Sequence, residues 1–480
     1  MKKMWIAGVI FGFVQSSHAV VLDWQGMYRI EGVQIDNNDF TTNRKDSSYI
    51  LHHLYLKPKI EASDGLKIYS RLDLFNSGFY PNSQMGQFFG HGPNPTGAAS
   101  NNERDSNVLS QTQKDDSVNV TELYLTLKSE TGYGMLIAGR KMFHFGLGIT
   151  HNNGSGSFDH YFDSKDMLAY KMSVGNFTFT PIFAKINEQK LHVGDDINDY
   201  IMDLSYYNKD TEIKFGILYE SRVTGGWGND APTNPASGSV WGGNGTNSKI
   251  DHWNGQRLSL YYERKFSEGR IGIEIGNNSG DTGISTGTEM ITLTGYGFAL
   301  EGDYKPGNSR WSYSAKAGIA SGDDPKTPGK YEGFIFDRNY NVGFLLMNHV
   351  MGSYDVFRTA LGRSSTSSNG ADSNASAFAD EESISNVMYF APEINYHWKP
   401  NLDVSLTFVT GTLNVQPDAL KNVDTSIGYE LDLSLNYKPS EKMTWINGLG
   451  VVFPGGAFSD AGTYPTEYAI GLTSKAAISF

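Results

Sequence analysis

Short and long connections alternate along this chain from one end to the other, and that parity narrows the possible fold more than any other feature. Segments of alternating apolar and polar residues recur near 21–35, 48–62, 64–77, 117–130, 133–141, 168–174, 176–187, 198–208 and 210–223. They continue near 251–265, 268–279, 291–304, 308–321, 386–398, 400–413, 425–438, 442–452 and 466–480. A period of two is the period of a strand, whose successive side chains point to opposite faces. After every even-numbered segment but the last comes a tight turn: Ser63-Asp64-Gly65, Thr131-Gly132, Gly175-Asn176, Asn208-Lys209-Asp210, Ser267-Glu268-Gly269, Lys305-Pro306-Gly307-Asn308, Lys399-Pro400-Asn401 and Pro439-Ser440. Gly, Asn, Asp and Pro supply the backbone angles such turns need. The odd-numbered segments are followed by long connections, notably 78–116, 142–167, 224–250 and 322–385. The expected fold is all-β: a transmembrane antiparallel barrel of about 18 strands, with short periplasmic turns and long extracellular loops. No internal repeat of solenoid length is present.

The two ends agree with that expectation. Lys2 and Lys3, an apolar run over 4–14 and Ser17-His18-Ala19 read as a secretory signal peptide over 1–19, leaving 20–480 as one barrel domain. The last outward series is Tyr468, Ile470, Leu472, Ser474, Ala476, Ile478 and Phe480, and the chain stops on that phenylalanine. Phe480 is expected to act as the signal read by the barrel-assembly machinery. No later stretch approaches the roughly 20 apolar residues of a spanning helix. A mean hydropathy of −0.39 is compatible with a barrel, whose lumen face and loops are polar. The residues are 13% aromatic, which suits girdles at both membrane interfaces. There is no cysteine, and the net charge of −13 argues against nucleic acid as a partner. The expected surroundings are outer-membrane lipid and lipopolysaccharide of a Gram-negative bacterium.

Placing charges on the lipid face near the midplane costs about 2–4 kcal/mol, so charges set the expected register. Leu66, Ile68, Leu72 and Leu74 face out while Lys67, Arg71 and Asp73 face in; Tyr429, Leu431, Leu433, Leu435 and Tyr437 face out while Glu430 and Asp432 face in. This yields a basic lumen wall of Lys57, Lys59, Lys67, Arg71, Lys128 and Arg140, and an opposite acidic wall of Glu301, Asp303, Glu393, Asp403, Glu430 and Asp432. A transverse field between them would orient dipolar solutes.

The segment 322–385 begins too apolar to float in water. Residues 326–350 are expected to fold into the mouth as a constriction carrying Phe334, Phe336, Arg338, Phe344 and Asn348. In the 142–167 loop, His144, His151, His160, Asp159 and Asp163 are expected to be solvated loop residues, since their irregular spacing suits no metal. Asp323-Asp324 and Asp195-Asp196 offer weak calcium candidates without the EF-hand pattern. No cofactor and no catalytic constellation are expected.

The stretch Ala138-Gly139-Arg140-Lys141-Met142-Phe143-His144-Phe145-Gly146-Leu147-Gly148 resembles the Gly-Arg and aromatic-Gly-x-Gly pattern of alginate-export-type porins. Ala320-Ser321-Gly322-Asp323-Asp324-Pro325, with Phe334, Phe336 and Asn348 downstream, is similar to their strand exit and following loop. The resemblance implies an eighteen-stranded outer-membrane barrel with the Arg at a strand end facing the lumen. A polyuronate channel would be lined mainly by Arg and Lys, and this lumen is mixed. The expected function is therefore passive diffusion of small polar solutes. Anionic-polysaccharide export and a closed scaffold presenting adhesive loops are the alternatives.

Overall fold

The computed structural model describes residues 21–75, 87–88, 118–129, 132–187, 197–224, 253–285, 290–324, 326–327, 329–353, 356–357, 382–416 and 424–480. Eighteen long strands form the barrel. They are β1 (Val21–Asp36), β2 (Asp46–Ser63), β3 (Leu66–Leu74), β4 (Asn119–Lys128), β5 (Gly134–Met142), β6 (Ser164–Val174), β7 (Phe177–Asn187), β8 (Ile197–Asn208) and β9 (Ile213–Thr224). The second half comprises β10 (Asn254–Phe266), β11 (Gly269–Ser285), β12 (Tyr296–Tyr304), β13 (Trp311–Ala320), β14 (Val387–Lys399), β15 (Leu402–Leu413), β16 (Ser426–Ser440), β17 (Met443–Pro454) and β18 (Ala469–Ser479). Three shorter strands, Gln87–Phe88, Met290–Leu293 and Lys330–Tyr331, belong to the long connections.

Each strand pairs antiparallel with the next, and β18 returns to β1 with Ala477 opposite Arg29 and Ser474 opposite Gly32. Closure leaves no edge, so every strand has two neighbours to satisfy its backbone groups. The last two residues of the closure hold through reciprocal backbone hydrogen bonds of 3.0 Å between Gly26 and Phe480. Outward positions carry exposed aliphatics and aromatics: Tyr429, Leu431, Leu433, Leu435 and Tyr437 on β16 are all exposed, as are Trp311 and Tyr313 on β13. In water that surface would be untenable; in a bilayer it is the lipid face. The closed barrel is an outer-membrane architecture of the Gram-negative type.

The connections follow the expected parity, with local corrections. Pro439 and Ser440 stay in β16, and the turn falls at Glu441-Lys442. β11 continues to Ser285 rather than ending near 279, because Gly280 and Gly283 take positive φ and let the strand bend above the membrane. The expected strand over 291–304 is consequently split into Met290–Leu293 and β12. β6 starts at Ser164, four residues before its expected start. The signal peptide, nearly all of the 78–116 loop and the bulk of the 224–250 loop lie outside the described residues; Phe88 pairs opposite Leu51 on β2.

The barrel is not an empty cylinder. The connection between β5 and β6 (loop L3, residues 143–163) and the described part of that between β13 and β14 (loop L7) both fold inward. L7 brings Phe334, Phe336, Tyr340, Leu345, Leu346 and Met347 into one apolar cluster with wall residues such as Ala299, Val387, Val409, Ile427 and Val452. L3 brings Phe143 and Phe145 against Ile137, Met167, Ile182, Ile201 and Leu218 on the facing wall. Each loop therefore buries its oily side on a different part of the lumen.

Candidate functional site: a septum across the lumen

Both loops are anchored by the same device, a wall carboxylate set into a run of loop amides. Glu274 on β11 accepts from Gly148 N (2.9 Å), Ile149 N (3.3 Å), Thr150 N (3.2 Å) and Thr150 Oγ1 (2.7 Å). Glu430 on β16 accepts from Phe344 N (3.1 Å), Leu345 N (2.6 Å) and Leu346 N (2.7 Å), and Asp432 takes Phe344 N at 2.9 Å. Successive amides pointing to one side make an anion-binding concavity, so a buried carboxylate there satisfies several donors at once. Inward glycines give the rings room: a Cβ on Gly276 or Gly297 would lie 2.6 Å from the Phe334 ring.

L3 has two more moorings. His160 Nε2 lies 2.7 Å from Glu31 on β1, and Arg29 donates to the Asp159 carbonyl. His151 bridges Asp163 (3.0 Å) and Glu220 (3.1 Å), while Lys165 joins Glu220 (2.6 Å) to Asp199 (2.8 Å). Burial opposes the charged imidazole of His151, but the Glu220 and Asp163 carboxylates outweigh it and raise the pKa.

The loops then meet. Asn339 of L7 accepts from His160 N (3.1 Å) and Tyr161 N (3.0 Å) and returns Nδ2–H to the Tyr161 carbonyl (2.6 Å). Asp337 N donates to the Ile149 carbonyl at 2.9 Å. Burial, and then the Asp163 carboxylate, push the Asp337 side chain up to about 8. L3 and L7 together span the lumen as a septum.

The constriction residues occupy different roles from those expected. Phe334 and Phe336 do not project into the pore; both are fully buried against the wall. Phe344 is half-buried over Gly450 and Gly471, and Asn348 Nδ2 closes a loop turn on the Phe344 carbonyl (2.8 Å). Arg338 lies 5.0 Å over the Tyr161 ring, beside the junction. The histidines expected to be solvated include His151 and His160, which are buried moorings instead. Asp323 and Asp324 cap loop amides, those of Glu332 and Lys326, and Asp199 is tied to Lys165 and Arg222; Asp195 and Asp196 lie outside the described residues.

The charged walls are partly as expected. Lys57, Lys59, Lys67, Arg71 and Lys128 share the inward parity of β2–β4, and the acids occupy β12–β16, about half the strand count away. Much of this charge is locally spent. Arg71 is fully buried, paired with Asp73 at 3.0 Å and stacked 4.1 Å over Tyr55. His53 and Thr121 bond the same carboxylate. Lys67 pairs with Glu61 at 3.2 Å. Glu301 and Asp303 share Arg270, each at 2.6 Å. Asp403 pairs with His397 at 2.7 Å, and Glu393 accepts from Ser314, Asn395 and Thr407. Glu430 and Asp432 are covered by L7.

Arg140 corrects the expected register. Ile137 is buried and inward, so Gly139 and Lys141 follow it inward while Arg140 points out, opposite lipid-facing Leu123. It pairs with Asp166 at 2.6 Å, both about half exposed (50% and 48%). Lys141 takes its place inside, 5.6 Å over the Tyr124 ring. Among the described residues no carboxylate lies within ion-pair distance of Lys57, Lys59 or Lys141. Beside them Tyr69 and Tyr124 stack at 5.0 Å and 11°. The result is a lysine and tyrosine face on β2–β5.

Fold and site thus define an eighteen-stranded outer-membrane barrel with a two-loop septum and one basic lumen face. No protein-family model matches the chain, and no curated protein matches it. Among solved structures it is similar to Pseudomonas aeruginosa OccK9 (OpdG), with 12% identity over 96% of this chain and 98% of that one, at a TM-score of 0.49. P. aeruginosa OpdQ gives 9% identity over 96% and 98% of the two chains, with the same TM-score of 0.49. Acinetobacter baumannii OccAB3 gives 10% over 95% and 100%, at 0.48.

Proposed function

We propose that this chain is a passive channel for small hydrophilic solutes, narrowed by the L3–L7 septum and favouring anionic solutes on its basic side. The observation that carries the reading is the pairing of a lumen crossed by anchored loops with Lys57, Lys59 and Lys141, which among the described residues stand outside ion pairs. Unpaired cations in a confined, low-dielectric passage raise the local concentration of anions. Tyr69 and Tyr124 add flat apolar area for a ring to slide across. No transverse field is required, because Glu301 and Asp303 pair with Arg270 and the Glu430 and Asp432 carboxylates are covered by the L7 amides. In this reading the barrel-assembly machinery reads Phe480, and lipopolysaccharide surrounds the outer rim.

Planar-bilayer recording tests it. The wild type should give discrete ohmic steps with a reversal potential displaced toward anion selectivity under a salt gradient. Changing Lys57, Lys59 and Lys141 together to Glu should move that potential toward the cation side. A silent bilayer would favour a closed scaffold. A second reading, export of an anionic polysaccharide, draws on the same lysines; salt-dependent block by an anionic oligosaccharide, absent in the triple variant, would support it.

A further inference from the structure

One group of polar side chains on the barrel's outer face lies at the seam where the chain closes. On β18 the outward series runs from Tyr468 to Phe480, and Ser474 is its middle member. Ser474 therefore lies on the lipid-facing side, with Asn447 of β17 and Gly32 of β1 as its cross-strand partners. Trp445 Nε1 donates to Ser474 Oγ (3.0 Å), and Ser474 Oγ donates to Asn447 Oδ1 (2.9 Å). That chain of bonds occupies the amide oxygen once and leaves Asn447 Nδ2 without an acceptor among the described residues. Unsatisfied donors are strongly disfavoured in lipid, where no water can complete them. By contrast Ser70, another outward hydroxyl, is already bonded to the Pro58 carbonyl at 3.3 Å.

Gly32 is a second, independent observation. A Cβ there would meet nothing nearer than 3.8 Å, and its φ is not positive. Neither crowding nor backbone conformation within the barrel calls for glycine, which weakens a strand interior. With Ala476 and Ser474 it forms a flat notch beside the amide. Close approach of another surface accounts for both features, because intramembrane contacts rely on small residues and polar side chains rather than on the hydrophobic effect.

We propose that the β17–β18–β1 seam is a self-association surface, on which two copies of this chain pack seam to seam with their Asn447 amides bonded to each other. The amide is its own complement: it presents donors, and its oxygen retains a second lone pair. A two-fold contact places the same patch on both partners, as such pairing requires. No charged side chain belongs to the patch, so a charged partner has nothing to pair with.

The mature chain in a mild detergent should sediment with the mass of two copies. Asn447→Leu and Gly32→Leu should each weaken association at least tenfold while leaving the heat-dependent gel shift of the folded barrel unchanged. The chain has no cysteine, so a single Asn447→Cys variant can be oxidised in isolated outer membranes. It should give a cross-linked dimer, and Leu300→Cys on the far wall should not. A wild type of single-chain mass with no Asn447→Cys cross-link would overturn the proposal, as would a trimer or a cross-linked band containing a different protein.

Discussion

Single wall carboxylates anchor each inward loop. Glu274→Ala would leave three backbone N–H groups and the Thr150 hydroxyl without their acceptor. A buried donor stranded in this way costs about 1–3 kcal/mol. L3 should detach from β11, and single-channel conductance should rise with added open-state noise; Glu274→Gln, which keeps an acceptor oxygen, should show a smaller effect. Asp73 has a structural counterpart role, joining Arg71, His53 and Thr121 in a fully buried group. Asp73→Ala removes the one carboxylate that Arg71, His53 and Thr121 share in this buried group and should destabilise the barrel by about 3–5 kcal/mol, read as a lower temperature for the loss of the compact gel band. Asp337 contributes a pH dependence of known sign. Between the ordinary carboxylate range and about 8, the folded chain keeps a proton that the unfolded chain has released. The septum is therefore favoured at low pH and weakened as pH rises through that window. Conductance sub-states should become more frequent as pH rises from about 5 to about 8 and level off above that, and Asp337→Asn should abolish that trend.

At the level of elements, strand parity governs which charges a solute can meet. Arg140 and Lys141 are neighbours in sequence and lie on opposite faces of β5. Lys141→Glu should shift the reversal potential, whereas Arg140→Glu should leave it unchanged; the reverse result would refute the register of β5. The loops are joined chiefly at Asn339, with the Asp337 N–H to Ile149 carbonyl bond beside it. Asn339 alone supplies three hydrogen bonds to L3. Asn339→Ala should leave both carboxylate anchors intact, yet allow L3 and L7 to move separately, which would appear as additional conductance levels without loss of the folded barrel.

For the whole molecule, stability and function draw on different parts of the chain. The barrel is held by closure and by hydrocarbon on its outer side, so loop variants should preserve the compact, heat-modifiable species. Among the described residues the lumen gains its larger apolar core where L7 covers the wall from β12 round to β18, and a smaller one where L3 covers β5 to β9. That explains how an inner surface of barrel residues includes Val409, Ile427 and Val452 at zero exposure. Such residues would be misplaced in a water-filled pore. They are in place beneath a loop that brings Leu345 and Leu346 to meet them.

Strand number, turn parity and facing follow from the sequence because each depends on local periodicity and on the cost of placing charge in hydrocarbon. Leu431 and Asp432 differ in destination for reasons visible in the two residues themselves. That the aromatic and aliphatic residues of 326–350 need cover is likewise visible in the sequence. What the sequence left open required contacts across the lumen. Nothing local to Glu274 or Glu430 distinguishes a pore-lining acid from a loop anchor; that depends on amides 125 and 85 positions away in the chain. The inward fold of L3 escaped detection because its histidines pass for solvated loop residues until Glu31 and Glu220 are brought beside them. The side on which Arg140 lies hangs on one residue of parity, which only the pairing of β5 with β4 and β6 sets. Period two sets what faces lipid, and closure of the barrel sets which distant side chains share the space inside.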